Sequence, residues 1–374
     1  MASVSIDRYE PMLSREKLMN PEEALKSNPY LQMWRRGEYD LRWLDANVER
    51  VRAQRSKRGL TVRDIAVGSY GEIPSYAPQR VMAGRGSITA EKMPDLGYDL
   101  NWKGDFWSEN VMELYEEAKA RQWNATTDIP WDDLAATPIP DELELAMSQL
   151  CTFLTQVEMV ASDIPSKWMW RMNHAFIEAK MFLTTQCMDE SRHTEVFRKR
   201  ALVNGGGLVY SDPYVEEVLG AIIGAPSWHE ASAALHLLGE GLVLDIFRAG
   251  EFIAPTDVDK KIFRMCMQDE ARHVAYGTLH IKTALEEDPS KEREIDRSLD
   301  YLEQVVMNLI FSPTLIEPVV VLLAGGVEHA RETGYGLLQM FWSKIIEEYL
   351  HRCDRVGYAR RSKTTLPLEL PAAA

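Results

Sequence analysis

From about residue 105 onwards, apolar residues recur every three to four positions in one stretch after another, which is the period of a helix that buries one face. No stretch shows a clear alternation of apolar and polar residues, the pattern expected of half-buried strands. The pattern therefore predicts an all-α fold. The predicted helices cover about 106–123, 141–164, 168–203, 213–223, 228–252 and 256–287, and three more end near 352.

Several local signals mark the ends of these helices. The run NGGG at 204–207 is a typical helix stop, and Ser227 with Glu230 forms a capping box that begins the next helix. Pro165 and Pro255 each follow a long apolar helical pattern, so we expect the chain to reverse near both.

The first hundred residues have a different pattern. One helical run covers 39–58, and a loop-rich stretch with the sequence GSYGEIPSYAPQ follows at 68–79. We interpret 1–100 as a loop-rich N-terminal arm with one helix, 101–360 as the main helical domain, and 361–374 as a C-terminal tail.

Two of the predicted helices carry the same charged pentapeptide inside apolar surroundings. The stretch CMDESRHTEV at 187–196 and the stretch CMQDEARHVA at 266–275 both contain Asp-Glu-x-Arg-His. In each, a glutamate and a histidine three residues apart lie on one helix face, close enough to bind one ion together. Burying such charges is costly unless they are paired or bind a metal. The pairs are Glu190 with His193, and Glu270 with His273.

Each pair has a further glutamate about thirty residues upstream, Glu158 for the first and Glu240 for the second. Pro255 lies midway between Glu240 and Glu270, so a reversal there brings them level on antiparallel helices. Pro165 is not midway between Glu158 and Glu190. That pair therefore needs a wider turn or helices of unequal length.

Four helices thus supply four carboxylates and two imidazoles, the ligand set of ferritin-like four-helix bundles that bind two iron or manganese ions. Carboxylate with imidazole suits iron or manganese better than zinc or copper. The alternative is that these are charged pairs on solvated helix faces. The predicted metal ligands are Glu158, Glu190, His193, Glu240, Glu270 and His273.

A third Glu-x-x-His, Glu348 with His351, has Glu317 upstream. It lacks the preceding Asp and the Arg, and Pro318 interrupts the upstream helix, so we expect no metal there.

The residues beside the ligands suggest supporting roles. We expect Asp189 and Asp269 to accept hydrogen bonds crosswise, each from the histidine of the other motif, because a metal-bound imidazole usually donates its second N–H to a carboxylate. Arg192 and Arg272 would neutralise the excess of carboxylates; the alternative for all four is ordinary helix ion pairs. His236, four residues before Glu240, is an extra ligand, a proton carrier or a core histidine.

Over about residues 140–290 the sequence resembles the di-iron oxygenase and ribonucleotide-reductase-like branch of the ferritin-like superfamily. The doubled DESRH and DEARH are most similar to the hydroxylase subunits of bacterial multicomponent monooxygenases, and they also resemble arylamine N-oxygenases and R2-like ligand-binding oxidases. The resemblance implies that the six predicted ligands hold two iron ions, with manganese as the alternative, and that O₂ is a co-substrate.

The chain departs from each branch in turn. Phe197 stands where ribonucleotide reductase subunits usually have a radical tyrosine, and Glu158 where they often have Asp. Leu244 replaces a threonine of the multicomponent hydroxylases, and Cys266 replaces an extra histidine of the N-oxygenases.

We therefore expect an O₂-activating di-iron oxygenase or oxidase that hydroxylates, epoxidises or N-oxygenates a small or medium organic molecule. The alternatives are an oxidase like ribonucleotide reductase R2, or a ferroxidase that handles iron. If the substrate pocket lies where the resemblance implies, residues one turn from the ligands line it, and a partly hydrophobic substrate is expected. These residues are Leu154, Ala161, Phe182, Leu237 and Leu244.

Composition narrows the expected partners. A net charge of −15 argues against nucleic acid and anionic membrane surfaces. Four cysteines without a Cys-x-x-Cys, and an N-terminus without an apolar signal core, fit a reduced cytoplasmic protein. No apolar run is long enough to cross a bilayer. We further expect an external electron donor, a ferredoxin or a flavin reductase, and a homodimer.

Overall fold

The computed structural model describes residues 20–46, 49–90 and 93–371, except for the side chain of Ala24. These residues form two compact units. One unit contains the described residues up to Asn101 together with Asn173–Ala175, and the other contains Trp102–Met172 and the chain from Phe176 onwards. Apart from isolated bridges such as the one between Ser56 and Gly59, the described residues contain no β-strand, which confirms the prediction of an all-α fold.

The first unit has only short helical elements. They are α1 Pro21–Ser27, α2 Pro29–Arg35 and α3 Val62–Ile65, with 3₁₀ turns at Arg42–Asp45 and Gly68–Tyr70.

The helix predicted over 39–58 is wrong for the part of that range that the structure describes; residues 47 and 48 lie outside it. Only Arg42–Asp45 is helical there, as a 3₁₀ turn. The apolar side chains that suggested a helix stay largely exposed, Trp43 at 63% and Leu44 at 56%. A helix of this length depends on packing one face against a core, and these side chains have none to pack against.

The second unit contains eleven α-helices among its described residues. They are α4 Val111–Ala120, α5 Trp131–Ala136, α6 Asp141–Met169, α7 Ile177–Val203, α8 Pro213–Ile223, α9 Trp228–Ser232, α10 Glu240–Ile253, α11 Asp257–Glu287, α12 Glu292–Asn308, α13 Pro313–Ala324 and α14 Val327–Arg355.

Four of these helices form the bundle. Helix α6 packs along α7, α10 packs along α11, and the two pairs meet where α7 contacts α11. Helices α4, α8, α12, α13 and α14 cover the outside of this bundle. The core is largely apolar, and the centre of the bundle contains a group of buried charged side chains from α6, α7, α10 and α11.

The first helix pair reverses later than the sequence suggested. Helix α6 continues through Pro165 to Met169, so the predicted end at 164 is wrong. Pro165 lacks the N–H that would bond the carbonyl of Ala161, but Ile164, Pro165 and Trp168 are buried and hold the last turn against its neighbours. The chain then turns within 170–176, almost midway between Glu158 and Glu190.

The second pair begins with an interruption that the sequence did not reveal. The helix predicted over 228–252 consists of α9, a π-helix at Ala233–Gly239, and α10. In the π-helix the N–H of Glu240 donates to the carbonyl of Leu235, five residues back, where a regular helix would use the residue four back. After the turn at 254–256, the Thr256 hydroxyl accepts the N–H of Asp259 at 3.0 Å and caps α11.

The chain after α14 folds back onto that helix. Trp342 donates its indole N–H to the carbonyl of Pro367 at 2.8 Å, and the N–H of Leu370 donates to the side-chain oxygen of Gln339 at 2.7 Å. The described part of the predicted tail is thus packed against α14.

For the described residues, none of the helices taken singly has the length and apolar character of a membrane span. One pair bent by 68°, residues 289–311 followed by 313–324, meets those two criteria only when its members are combined.

Candidate metal centre

All six predicted ligands meet at the centre of the bundle. They come one each from α6 and α10 and two each from α7 and α11, and none is more than 3% exposed. Their ligand atoms form two overlapping groups in which all atoms lie within 4.8 Å of one another. The first group is Glu158, Glu190, His193 and Glu270, and the second is Glu190, Glu240, Glu270 and His273.

The distances from the two imidazoles define two halves of the site. Nδ1 of His193 lies 3.3 Å from Glu158 Oε2, 3.5 Å from Glu190 Oε2 and 3.2 Å from Glu270 Oε1. Nδ1 of His273 lies 2.8 Å from Glu190 Oε1, 3.4 Å from Glu270 Oε2 and 3.9 Å from Glu240 Oε1. Glu190 and Glu270 therefore face both histidines, as bridging carboxylates would. Glu158 and Glu240 each face only one.

The polar atoms of this cluster lack partners. Both oxygens of Glu190, both oxygens of Glu270, one oxygen each of Glu158 and Glu240, and Nδ1 of His273 are buried with no hydrogen-bond partner among the described residues. Buried polar atoms are nearly always satisfied, and seven orphaned ligand atoms at one place are the signature of a cation site.

The charges of the cluster fit two divalent cations. Four buried glutamates carry four negative charges when ionised, and two divalent ions would balance them. The neighbouring Asp189 and Asp269 are balanced separately by Arg192 and Arg272. The donor set, carboxylate oxygen with imidazole nitrogen, suits iron or manganese.

The pKa values show the same demand for positive charge. Burial raises the pKa of Glu158 and of Glu240 well above the usual value, because each carboxylate loses its hydration. Burial opposes the charged form of His273, but the charge of Glu190 and the hydrogen bond that His273 donates to Asp189 outweigh it and hold the pKa of His273 well above its usual value. Protons and metal ions therefore compete for the same lone pairs, and metal affinity should fall as the pH is lowered.

Two carboxylates orient the histidines crosswise, in the arrangement that the sequence analysis expected. Nε2 of His193 lies 3.2 Å from Asp269, and Nε2 of His273 lies 3.3 Å from Asp189. An imidazole that donates its Nε2–H to an aspartate turns the lone pair of Nδ1 towards the glutamates. A lone pair facing carboxylate oxygens is favourable only if a metal ion or a proton lies between them.

Arg192 and Arg272 form a buried ion-pair network, here called the box, with Asp189 and Asp269. Each guanidinium donates to both carboxylates: Arg192 lies 2.8 Å from Asp269, and Arg272 lies 2.9 Å from Asp189. All four side chains are at most 3% exposed. This box fixes α7 against α11 and thereby fixes the positions of both histidines.

The crosswise contact gives a testable prediction for Asp189→Asn. The change removes the charge that orients His273, so metal affinity should fall by about 10- to 100-fold. A competitive titration against a chelator measures this. The control is Glu195→Gln on the exposed face of the same helix, which should bind metal as the unchanged protein does; equal affinity in both variants would refute the orienting role.

Two further residues of the site escaped the sequence analysis. Gln186 is fully buried and donates its amide N–H to Glu240 at 2.7 Å. It lies four residues before Glu190, so a polar residue at that helical position in the apolar stretch FLTTQC was a usable signal. Trp123 donates its indole N–H to Asp269 at 2.7 Å and stacks on Arg192. Trp123 and Asp269 are far apart in the sequence, so local sequence patterns do not reveal this contact.

His236 lies beside the cluster but belongs to neither metal group. Its Nε2 is 3.7 Å from Glu240 and 3.4 Å from the amide nitrogen of Gln186, while Nδ1 is 3.0 Å from the carbonyl of Ser232. Burial lowers its pKa to about 3, so the ring is neutral. This geometry places His236 as a neighbour of Glu240, one layer outside the six clustered side chains.

An apolar cavity opens directly onto the cluster. It is partly open to solvent and reaches Glu158, Glu240 and Glu270 at its inner end. The remaining lining residues are apolar side chains and one glycine from α6, α8, the π-helix, α10, α12 and the turn after α12.

Of the five residues expected to line a pocket, only Ala161 lines this cavity. The other four are buried elsewhere in the core; Phe182, for example, packs against Tyr276 with ring centres 5.0 Å apart. On α10 the cavity is lined by Leu242 and Val243, whereas we expected Leu244 to line it. The residues outside the cavity lining are Leu154, Phe182, Leu237 and Leu244.

Phe197 and Cys266, two of the positions at which the chain departs from known families, have apolar or neutral side chains. Phe197 packs against Phe247 and Phe263, with ring centres 5.4 and 6.0 Å away. Burial raises the pKa of the Cys266 thiol to about 11, so it is no ready thiolate ligand. The third Glu-x-x-His lies on the surface of α14, with His351 exposed and Glu348 paired with Lys344.

Comparison with known proteins identifies solved structures that are similar to this architecture. No family model and no curated protein matches the chain. Among solved structures, an R2-like ligand-binding oxidase with aerobically reconstituted metal cofactor after photoconversion is similar, with a TM-score of 0.53 and 18% identity over 67% of this chain and 94% of that chain. An R2-like ligand-binding oxidase with aerobically reconstituted Mn/Fe cofactor (long soak) gives 0.52 and 18% over 67% and 93%.

The chain has the ferritin-like fold. The likeness to these oxidases covers 67% of the chain, and at 18% identity it is a likeness of fold. The ferritin-like bundle explains why the cluster lies where it does, because in this fold the centre of the four helices is where facing side chains converge.

Proposed function

We propose that this protein is an O₂-dependent oxidoreductase that holds two ions of iron or manganese in the six-residue cluster and oxidises an apolar organic molecule. One observation carries the proposal: a buried cluster built in two halves with two shared carboxylates opens onto an apolar cavity. The similar solved structures are R2-like ligand-binding oxidases with metal or Mn/Fe cofactors, which supports this chemistry for the same fold.

The protein's side chains provide the conditions for that chemistry. Glu190 and Glu270 bridge the two halves, Glu158 with His193 completes one, and Glu240 with His273 completes the other. Asp189 and Asp269 keep the imidazole lone pairs pointing inward. A pair of redox-active ions held in this way supplies electrons to activate O₂. The dry surroundings protect a reactive centre from water.

The cavity indicates the substrate class. Among the described residues that line it, the only polar side chains are Glu158, Glu240 and Glu270 at the inner end. A polar or charged group placed along its length would lose hydration without gaining a hydrogen bond. The inserted part of the substrate is therefore a hydrocarbon, aliphatic or aromatic, and the atom to be oxidised is the one that reaches the glutamates.

The reaction class is insertion of one oxygen atom into a C–H, C=C or N–H group, or removal of hydrogen from the same group. Insertion of one atom of O₂ reduces the other to water and consumes two electrons from outside the substrate. An external donor, a ferredoxin or a flavin reductase, is therefore part of the proposal.

The two rival functions predict different features. A radical generator like ribonucleotide reductase R2 needs an oxidisable side chain near the metals, and Phe197 at the expected position cannot form a tyrosyl radical. A ferroxidase needs a polar route for iron ions. The apolar cavity is not such a route, because its walls offer iron ions no polar groups before the glutamates at its inner end.

A single-turnover experiment tests the proposal. Protein loaded anaerobically with Fe(II) is exposed to oxygen-18 gas in the presence of toluene, styrene or aniline, which offer C–H, C=C and N–H groups in turn. We expect a product that carries the heavy isotope from at least one of them, detected by mass spectrometry, and none from a Glu270→Ala control. Formation of a ferric mineral with no product from any of the three would refute the oxygenase and favour the ferroxidase.

A further inference from the structure

Glu240 is held differently from the other clustered glutamates. Glu158, Glu190 and Glu270 lie inside the long helices α6, α7 and α11, where the regular backbone fixes their direction. Glu240 lies at the junction between the π-helix and α10. A π-helical turn carries one extra residue and is less stable than a regular turn, so relaxation to a regular helix would rotate the following side chain by roughly 100°.

One side chain from outside the bundle contacts both sides of this junction. Arg352 lies on α14 and is 6% exposed. Its Nε donates to the carbonyl of Leu237, inside the π-helix, at 2.9 Å. Its Nη1 lies 3.4 Å from the carboxylate of Asp245, on the first turns of α10. The two contacts lie three residues before Glu240 and five residues after it.

The backbone is shaped to receive this guanidinium. Gly241 directly follows Glu240, and a Cβ atom at that position would lie only 2.4 Å from the guanidinium carbon of Arg352. Glycine is normally unfavourable inside a helix. Its presence here allows the flat guanidinium to lie against the helix backbone next to the ligand.

We propose that Arg352 is a positioning residue that holds the π-helical junction in place and thereby directs Glu240 into the metal centre. The guanidinium joins Leu237 to Asp245 across the junction, while Gln186 fixes the carboxylate itself. The proposal rests on the proposed function only in treating the cluster as a two-ion site. It assigns to α14, a helix outside the bundle, control over one half of that site.

The two halves predict a selective defect. Glu240 faces His273 and does not face His193. Loss of Arg352 should therefore weaken the half made by Glu240 and His273, and leave the half made by Glu158 and His193 in place. A purely structural role would lower stability and affect both halves alike.

The test compares four variants by anaerobic titration with Mn(II), followed by electron paramagnetic resonance of the bound ions. The unchanged protein should bind two ions and show the signal of a coupled pair. Arg352→Met should bind one ion normally and the second at least about tenfold more weakly, with the signal of an isolated Mn(II). Arg352→Lys should recover part of the second affinity, because an ammonium can still donate to Leu237.

Gly241→Ala provides an independent version of the test, because it displaces the guanidinium without removing it. Alanine also favours a helix more than glycine does, so a loss of the second ion here cannot come from a weaker helix. Arg355→Met, an exposed arginine on the same helix, is the control and should bind both ions normally.

The outcomes separate the two proposals. Two ions bound with unchanged affinity in both Arg352→Met and Gly241→Ala would overturn the positioning role. Equal weakening of both ions in both variants would overturn it as well, since it indicates a general structural effect. Failure of the unchanged protein to bind two ions would instead refute the two-ion site itself.

Discussion

Replacing Glu190 by alanine should reduce the iron bound after anaerobic loading and desalting from about two ions per chain to less than one. Glu190 is one of the two carboxylates that face both histidines, with oxygens 3.5 Å from His193 Nδ1 and 2.8 Å from His273 Nδ1. Its loss removes a ligand from each half at once. Glu270→Ala should have the same effect for the same reason, and elemental analysis of the desalted protein measures both.

The metal-free Glu190→Ala protein should remain folded. The change takes one carboxylate out of a group of four that are buried together, and it relieves their mutual repulsion. Circular dichroism of the metal-free variant checks this, so that a loss of iron is not mistaken for unfolding. The matched control is Glu348→Ala, which alters the surface Glu-x-x-His of α14 and should leave the iron content unchanged. Two ions per chain in Glu190→Ala would refute the metal centre.

The sequence predicted the central cluster because every step of that inference was local. The spacing of Glu190 with His193, and of Glu270 with His273, is a property of a single helix turn. The upstream glutamates needed only a reversal about midway, and the structure supplies one at 170–176 and one at 254–256. Two long antiparallel helix pairs leave little freedom in where such residues meet.

The parts that the sequence did not predict depend on contacts between distant segments. The sequence AALHLLG before Glu240 contains no local signal for a π-helix. The contact that holds this π-helix comes from Arg352, on a helix more than a hundred residues later. The helix predicted over 39–58 failed for the opposite reason. The apolar side chains described there, such as Trp43 and Leu44, are largely exposed, and periodicity alone does not keep a helix folded.

The cavity lining is a further feature that the sequence did not predict, and here the difference concerns one side chain. Residues three and four positions after Glu240 both lie near its helix face. Val243 lines the cavity and Leu244 does not, and this difference is decided by how α10 packs against its neighbours. Sequence spacing could place a pocket beside α10 but could not choose between the two.

Closing the cavity with Val218→Trp should reduce substrate oxidation at least about tenfold and leave both metal ions in place. Val218 lies on α8, lines the cavity and is half-buried, so a larger side chain can occupy the space without disturbing the cluster. The helix that carries it supplies none of the six clustered ligands. A factor of ten corresponds to about 1.4 kcal/mol, which is small against the cost of excluding a hydrocarbon from an apolar site.

The experiment uses the oxygen-18 assay on whichever of the three test compounds the unchanged protein oxidises, with the iron content measured in the same samples. Ile223→Trp is the control, because it places the same bulky side chain on the same helix at an exposed position outside the cavity lining. A ferroxidase would oxidise Fe(II) equally well in both variants and would make no product in either. If Val218→Trp keeps its iron and its full rate of product formation, the substrate does not enter between α8 and α10, and the cavity is not its binding site.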